Sequence, residues 1–146
     1  MPGAIAVAVD GSEASAAALA HALRLAGEAD LLGVFVLDAG WADYIGNDWQ
    51  SSRNARQDFL DYVRGHLERQ AEEARRQFAA AVGSRPGAHF RVLAGDPLEE
   101  LCRFMAGGEA ATLVAGREVF QVCGRPSCKS LTRDLAKRIG GAVVVV

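Results

Sequence analysis

Most of the features that would assign this chain to a class at a glance are missing from it. Cysteine is scarce: three in 146 residues do not make a disulfide framework. No uninterrupted apolar run approaches the roughly eighteen residues of a membrane span, so no membrane partner is expected. Charge leans to neither sign. The formal net charge of −2 gives no strong pull toward nucleic acid or an anionic surface. The N-terminus enters a strand at once, with no basic segment and no cleavage pattern, so the expected location is cytoplasmic. There is no internal repeat and no low-complexity segment. What remains is an ordinary globular balance, 50% hydrophobic and 23% charged. That fits one domain over residues 1–146 with a sizeable core.

Catalytic and metal signatures are missing too. No Ser-His-Asp arrangement emerges, and there is no G-x-x-x-x-G-K-[ST] loop. Three histidines and three cysteines scattered over different elements give no metal spacing. Neither an enzyme activity nor a metal is expected.

What the chain does have begins at Ala4–Ser12, Ala-Ile-Ala-Val-Ala-Val-Asp-Gly-Ser. Six apolar residues without a polar break predict a strand covered on both faces. Asp10, Gly11 and Ser12 then supply turn chemistry and a helix N-cap. A strand feeding a helix is the first half of a βαβ crossover, and ligands in such sheets sit off the carboxyl ends of the strands. Asp10 stands at such an end. It reads either as a carboxylate facing a ligand crevice or as a turn and capping residue.

Apolar periodicity places the first helix over Glu13–Ala26, with Leu19, Ala22, Leu23 and Ala26 on one face. A second strand covers Leu31–Leu37. Trp41 to Asn54 reads as an irregular stretch, because Gly46, Asn47 and Asp48 argue against regular structure. Its aromatics, Trp41, Tyr44 and Trp49, read as a cover over an open end of the core or as a functional loop. Arg56–Val82 predicts a long helix. Its apolar stripe is Phe59, Val63, Leu67, Ala71, Ala74, Phe78 and Ala81, its opposite face is charged, and Gly65 is a candidate bend or break. A third strand follows at His89–Ala94. Gly95-Asp96-Pro97-Leu98-Glu99 then starts a helix with an N-cap, a first-turn proline and a capping-box glutamate. Ala111–Ala115 is a strand, Arg117–Cys128 a loop, Ser130–Ile139 a helix and Ala142–Val146 a last strand. Strict alternation of strand and helix calls for an α/β fold, a parallel sheet with helices on both faces.

Taken together, Ala-Val-Asp-Gly-Ser at Ala8–Ser12, the Gly-Asp-Pro turn at Gly95–Pro97 and the closing helix and strand at Ser130–Val146 resemble a universal stress protein domain over essentially the whole chain. The resemblance implies a three-layer, Rossmann-like fold of the adenine nucleotide alpha hydrolase type, with a five-stranded parallel sheet of order 3-2-1-4-5. It implies a nucleotide crevice between strands 1 and 4 in the ATP-binding branch, and homodimers that often use the last strand. That branch carries G-x2-G-x9-G-[ST] after strand 4, where glycines let the backbone approach phosphates and a helix N-terminus receives the anion. Here the register is kept with Gly116 first and Ser130 last. Val119 and Lys129 replace the other two glycines. The candidate nucleotide-binding residues are Asp10, Val36, Ala115, Gly116, Arg117, Lys129 and Ser130.

Val119 puts a β-branched side chain where the backbone should approach the phosphates, at a penalty if φ there is positive. The expectation is a degenerate ATP site, improved by restoring both glycines. Against it stand Arg117, Arg125, Lys129 and Arg133, and Lys129 could serve as a point charge for phosphate. The leading reading is a non-enzymatic, homodimeric stress-response or signalling module acting through a protein partner. The second is a sensor that holds ATP or another adenine nucleotide weakly. A third is a thiol switch: Cys128, next to Lys129 and a helix N-terminus, is expected to be more acidic than a free thiol, Cys123 to be an exposed loop thiol, and Cys102 to be buried and inert.

Overall fold

The computed structural model describes residues 3–46, 53–120, 130–139 and 142–146. Five strands, β1 (Ile5–Ala8), β2 (Leu31–Asp38), β3 (Ala88–Gly95), β4 (Thr112–Ala115) and β5 (Val143–Val145), form one sheet of order β3-β2-β1-β4-β5. All four pairings are parallel. The helices are α1 (Glu13–Ala26), α2 (Trp41–Ile45), α3 (Arg53–Val82), α4 (Pro97–Ala106) and α5 (Leu131–Ile139). None of them is long and apolar enough to cross a membrane, among the described residues.

β1 lies at the centre because its residues can be covered everywhere. Ala6, Val7 and Ala8 are fully buried, and Ile5 pairs with Leu31 on one side and Thr112 on the other. The small alanines let α1 sit close over β1 and β4. α1 packs with α3, and α4 packs with α5, so helices cover both faces of the sheet. The face of α1 drawn from periodicity is the one buried: Leu19, Ala22 and Ala26.

α3 runs unbroken through Gly65 for 30 residues. Propensity alone cost too little to interrupt it, since a single glycine costs a helix about 1 kcal/mol. Leu67, Ala74 and Phe78 are buried as the stripe predicts, whereas Ala81 is exposed. A polar residue, Gln70, is buried on the same side. Phe78 reaches β2 at Gly33, where a Cβ would come within 2.5 Å of its ring. The glycine is thus a socket for an aromatic side chain.

The stretch read as irregular contains a helix. Trp41–Ile45 forms the single turn α2. Tertiary contacts hold it: Arg56 Nε of α3 donates to the Gly46 carbonyl at 2.8 Å, and Arg56 Nη2 to the Ala42 carbonyl at 3.3 Å. The Gly46 carbonyl is one that the helix end leaves open, while the Ala42 carbonyl also accepts from Gly46 N at 3.2 Å. Trp41 meets Tyr44 and Phe59 edge-on, with centroids 5.6 and 6.1 Å apart. Trp49 lies outside the described residues.

At the same carboxyl end of the sheet, beyond β3, Asp96 caps α4 as predicted, accepting from Glu99 N at 3.0 Å. The Glu99 carboxylate reaches across to Arg138 of α5, at 2.6 and 3.3 Å. That hydrogen bond holds Glu99 below the usual carboxylate range. Its contribution to stability is present above that range and is lost as the pH falls below it, through the lowered value.

Replacing Gly33 with alanine should force Phe78 off its site. Urea denaturation should show a loss of about 1–3 kcal/mol, the cost of overpacking a filled core.

Candidate functional site

The carboxyl ends of β1 and β4 are where a ligand would sit in this topology. Asp10 follows β1 directly, 2% exposed, and both of its carboxylate oxygens are engaged. Oδ1 accepts from Ser12 N at 3.0 Å and from the Ser12 hydroxyl. Oδ2 accepts from Phe120 N at 2.8 Å, a buried contact between residues 110 apart in sequence. The two alternatives for Asp10 are therefore both partly realised. It organises its own turn, and it ties the end of β1 to the segment after β4.

That segment folds inward. Val119 N donates to the Gly116 carbonyl at 3.1 Å, closing a tight turn. Val119 is fully buried and Phe120 is 4% exposed. Phe120 stands edge-on to Phe35 of β2, with centroids 5.7 Å apart. The positive φ falls on Phe120, at 65°, and not on Val119. Such a backbone costs an L-residue about 1–2 kcal/mol. The Asp10 hydrogen bond and the contact with Phe35 oppose that cost.

Gly116 is required for a reason other than phosphate. A Cβ there would lie 2.5 Å from the Ala14 carbonyl oxygen in the first turn of α1. Ala115 is fully buried; it pairs with Val145, and its carbonyl accepts from Val146 N at 2.9 Å. Arg117 N donates to the Val146 carbonyl at 3.2 Å, so β4 and β5 stay paired to the end of the chain. Val36 is buried in β2 and pairs outward with Leu93. Ser130 donates its hydroxyl to Asp134 in the first turn of α5, at 3.0 Å. A carboxylate at that helix end complements the dipole that would otherwise attract a phosphate. Lys129 lies outside the described residues, as do Arg125, Cys123 and Cys128. The structure thus joins Asp10 to the loop that starts at Ala115–Gly116; Val36 stands two residues past Val34, the strand partner of Ala8, and Ser130 is engaged at the start of its own helix.

Sequence reasoning missed α3 as a contributor. Gln77 serves the β1–α1 turn from 65 residues away: its amide oxygen accepts from Gly11 N at 3.1 Å and from the Ser15 hydroxyl at 2.5 Å, while its nitrogen donates to the Ser12 carbonyl at 2.9 Å. Beside it, His66, Arg69, Gln70 and Glu73 of α3 face Asp10, Gly11 and Ser12 across a cleft of about 250 Å³. The amide nitrogen of Gln70 is buried and has no partner among the described residues. A signal was present. Gln70 and Gln77 stand seven apart within the apolar stripe, where a merely solvated face would not place them.

Among the described residues, no group of histidine, cysteine, aspartate and glutamate is placed to hold a metal. Cys102 is half-buried rather than fully buried. Burial pushes its thiol above the ordinary value, against the opposing pull of Arg138. It borders a cavity of about 510 Å³ between α4 and α5 at the amino ends of β4 and β5, away from Asp10.

The model of the universal stress protein family matches residues 1–146. No curated protein matches the chain. Solved structures do. UspA from Lactobacillus plantarum is 22% identical with a TM-score of 0.66, covering 99% of this chain and 97% of that one. A universal stress protein from Archaeoglobus fulgidus in complex with dAMP is 19% identical, with a TM-score of 0.61 and coverage of 99% and 96%. A family protein from Arabidopsis thaliana with AMP bound is 17% identical, with a TM-score of 0.60 and coverage of 99% and 90%.

Asp10→Ala should cost about 1–3 kcal/mol, because it leaves the buried N–H of Phe120 unpaired. Hydrogen exchange at the Phe120 amide should accelerate more than at Val7 in the centre of the sheet. Equal acceleration at both would mean that Asp10 does not hold this loop in particular.

Proposed function

The chain belongs to the universal stress protein family, and from that premise we propose that it is a non-enzymatic, dimeric stress-response or signalling module whose adenine-nucleotide crevice is degenerate. The observation that carries the reading is the loop after β4. At the second glycine position of the ATP motif stands Val119, fully buried, and the next residue spends its backbone N–H on Asp10. A phosphate cradle needs backbone N–H groups turned toward the ligand. Here one is turned toward the protein's own carboxylate. At the far end of the motif the Ser130 hydroxyl is shared with Asp134, a negative group that a phosphate would have to approach.

A second reading, a sensor for an adenine nucleotide, draws on the solved relatives that hold dAMP and AMP. These ligands carry a single phosphate and ask less of a cradle than ATP does. Calorimetric titration separates the two. Under the first reading, ATP and AMP both bind no more tightly than about 100 μM, near 5–6 kcal/mol of binding free energy. Low-micromolar affinity for either nucleotide would overturn the degenerate crevice and leave the sensor. Val119→Gly with Lys129→Gly tests the motif itself. Because Val119 is a core side chain, the pair should gain affinity for ATP while losing thermal stability.

The dimer rests on β5. It lies at the sheet edge, and Val145 and Val146 are 38% and 37% exposed. An apolar edge strand with unpaired backbone groups is a template for a second chain, and the same edge from two copies makes an isologous contact. Light scattering at micromolar concentration should give the mass of two chains, and Val145→Lys should give the mass of one. A monomer in the unmodified protein would remove this part of the reading.

A further inference from the structure

The crevice that this topology offers a ligand lies off the carboxyl ends of β1 and β4, where the strand order reverses. The chain's own loop runs across it. β1 separates β4 from β2 in the sheet, yet the segment that leaves β4 at Ala115 brings Phe120 against Phe35 of β2, edge-on with centroids 5.7 Å apart. On the way it crosses the end of β1, and Asp10 ties it down there through the Phe120 N–H. Phe35 stands one residue past Val34, the strand partner of Ala8, so the two rings meet level with the point where β1 runs out. We infer that Phe120 is a built-in plug: its ring occupies the part of the crevice that the flat base of an adenine nucleoside would take, and the base enters only once that ring is out. This rests on the crevice reading above and concerns the half of the site that the glycine motif does not touch.

Three observations distinguish a plug from ordinary core packing. First, Phe120 carries the positive φ, at 65°, and it is the one residue other than glycine to do so among the described residues. A bulky aromatic residue is an outlier there, and strain of this kind gathers at ligand clamps and switch regions, where the surroundings hold it in place. Second, the ring is 4% exposed and Phe35 is fully buried, so each shields the other's apolar surface. A purine base is flat and aromatic and can cover Phe35 in the same way. Third, the tie to Asp10 is exchangeable. A buried carboxylate requires a hydrogen-bond donor, and Oδ2 of Asp10 takes one from the Phe120 N–H at 2.8 Å. A nucleoside brings hydroxyl and amino donors that can serve instead.

Adenosine is the probe, because it carries the base without a phosphate and reports on the plug independently of the glycine motif. Calorimetry on the full chain should find adenosine weaker than about 5 mM for the unmodified protein and about tenfold tighter for Phe120→Gly. That variant removes the ring and tolerates the positive φ. The Phe35 ring resonances should shift on binding. Val119→Gly with Lys129→Gly, which keeps the ring, should leave adenosine as weak as before. Benzene is the control, since a closed apolar cavity takes benzene. Phe120→Gly that binds benzene but not adenosine makes Phe120 ordinary core and overturns the plug. So does adenosine binding that leaves Phe35 unmoved, or adenosine binding equally tight with and without the ring. None of these results touches the degenerate phosphate loop, which the ATP titration decides separately. Should Phe120→Gly not fold, Phe120→Ala takes its place with the same outcomes. If neither folds the plug is overturned, because a side chain that the fold cannot spare is core.

Discussion

A buried carboxylate holds the working end of this molecule together. Asp10 stands where the central strand runs out, and its two oxygens serve two different pieces of chain. One holds the turn into α1. The other holds Phe120, beyond the far neighbour of β1 in the sheet. A carboxylate removed from water must be hydrogen-bonded or it destabilises the fold. The loop after β4 meets that demand with a backbone N–H, and doing so draws Val119 and Phe120 into the core. The left-handed backbone at Phe120 is the strain that this arrangement retains.

The same end of the sheet depends on α3. Gln77 supplies both an acceptor and a donor to the β1–α1 turn, so the turn is fixed by side-chain chemistry from a helix that sequence reading treats as a packing element. Lower on that helix Phe78 fits the bare backbone of Gly33, and higher up Arg56 closes the carbonyls of α2. One long amphipathic helix thus positions β2, the first turn and the aromatic segment. Two clefts at the carboxyl edge, one beside Asp10 and one beside Trp41, are both walled by it.

Much of this was legible in the residues. The unbroken apolar run of β1, the Ser12 and Asp96 caps and the strict alternation of strand and helix are local signals, because each depends on neighbours in sequence. They suffice for an α/β fold with a parallel sheet. The resemblance carried by Ala8–Ser12, Gly95–Pro97 and Ser130–Val146 adds the strand order, which the structure bears out. The candidate site was half legible. Asp10 and Gly116 were identified as special, but Gly116 is needed against the Ala14 carbonyl, a contact that no spacing reveals.

By itself, then, the sequence determined which segments are strands and, α2 apart, which are helices, where most of them start, and that two of three motif glycines are replaced. These follow from periodicity, capping and turn chemistry, all of which act over a few residues. Only the tertiary structure decided where Val119 goes, which residue takes the positive φ, that Trp41–Ile45 is helical, and that glutamines of α3 line the first turn. Each of these depends on a partner tens of residues away: Asp10 for Phe120, Arg56 for α2, Gln77 for Gly11 and Ser12. Such pairings are set by how the sheet and its helices stack, and local sequence does not encode them.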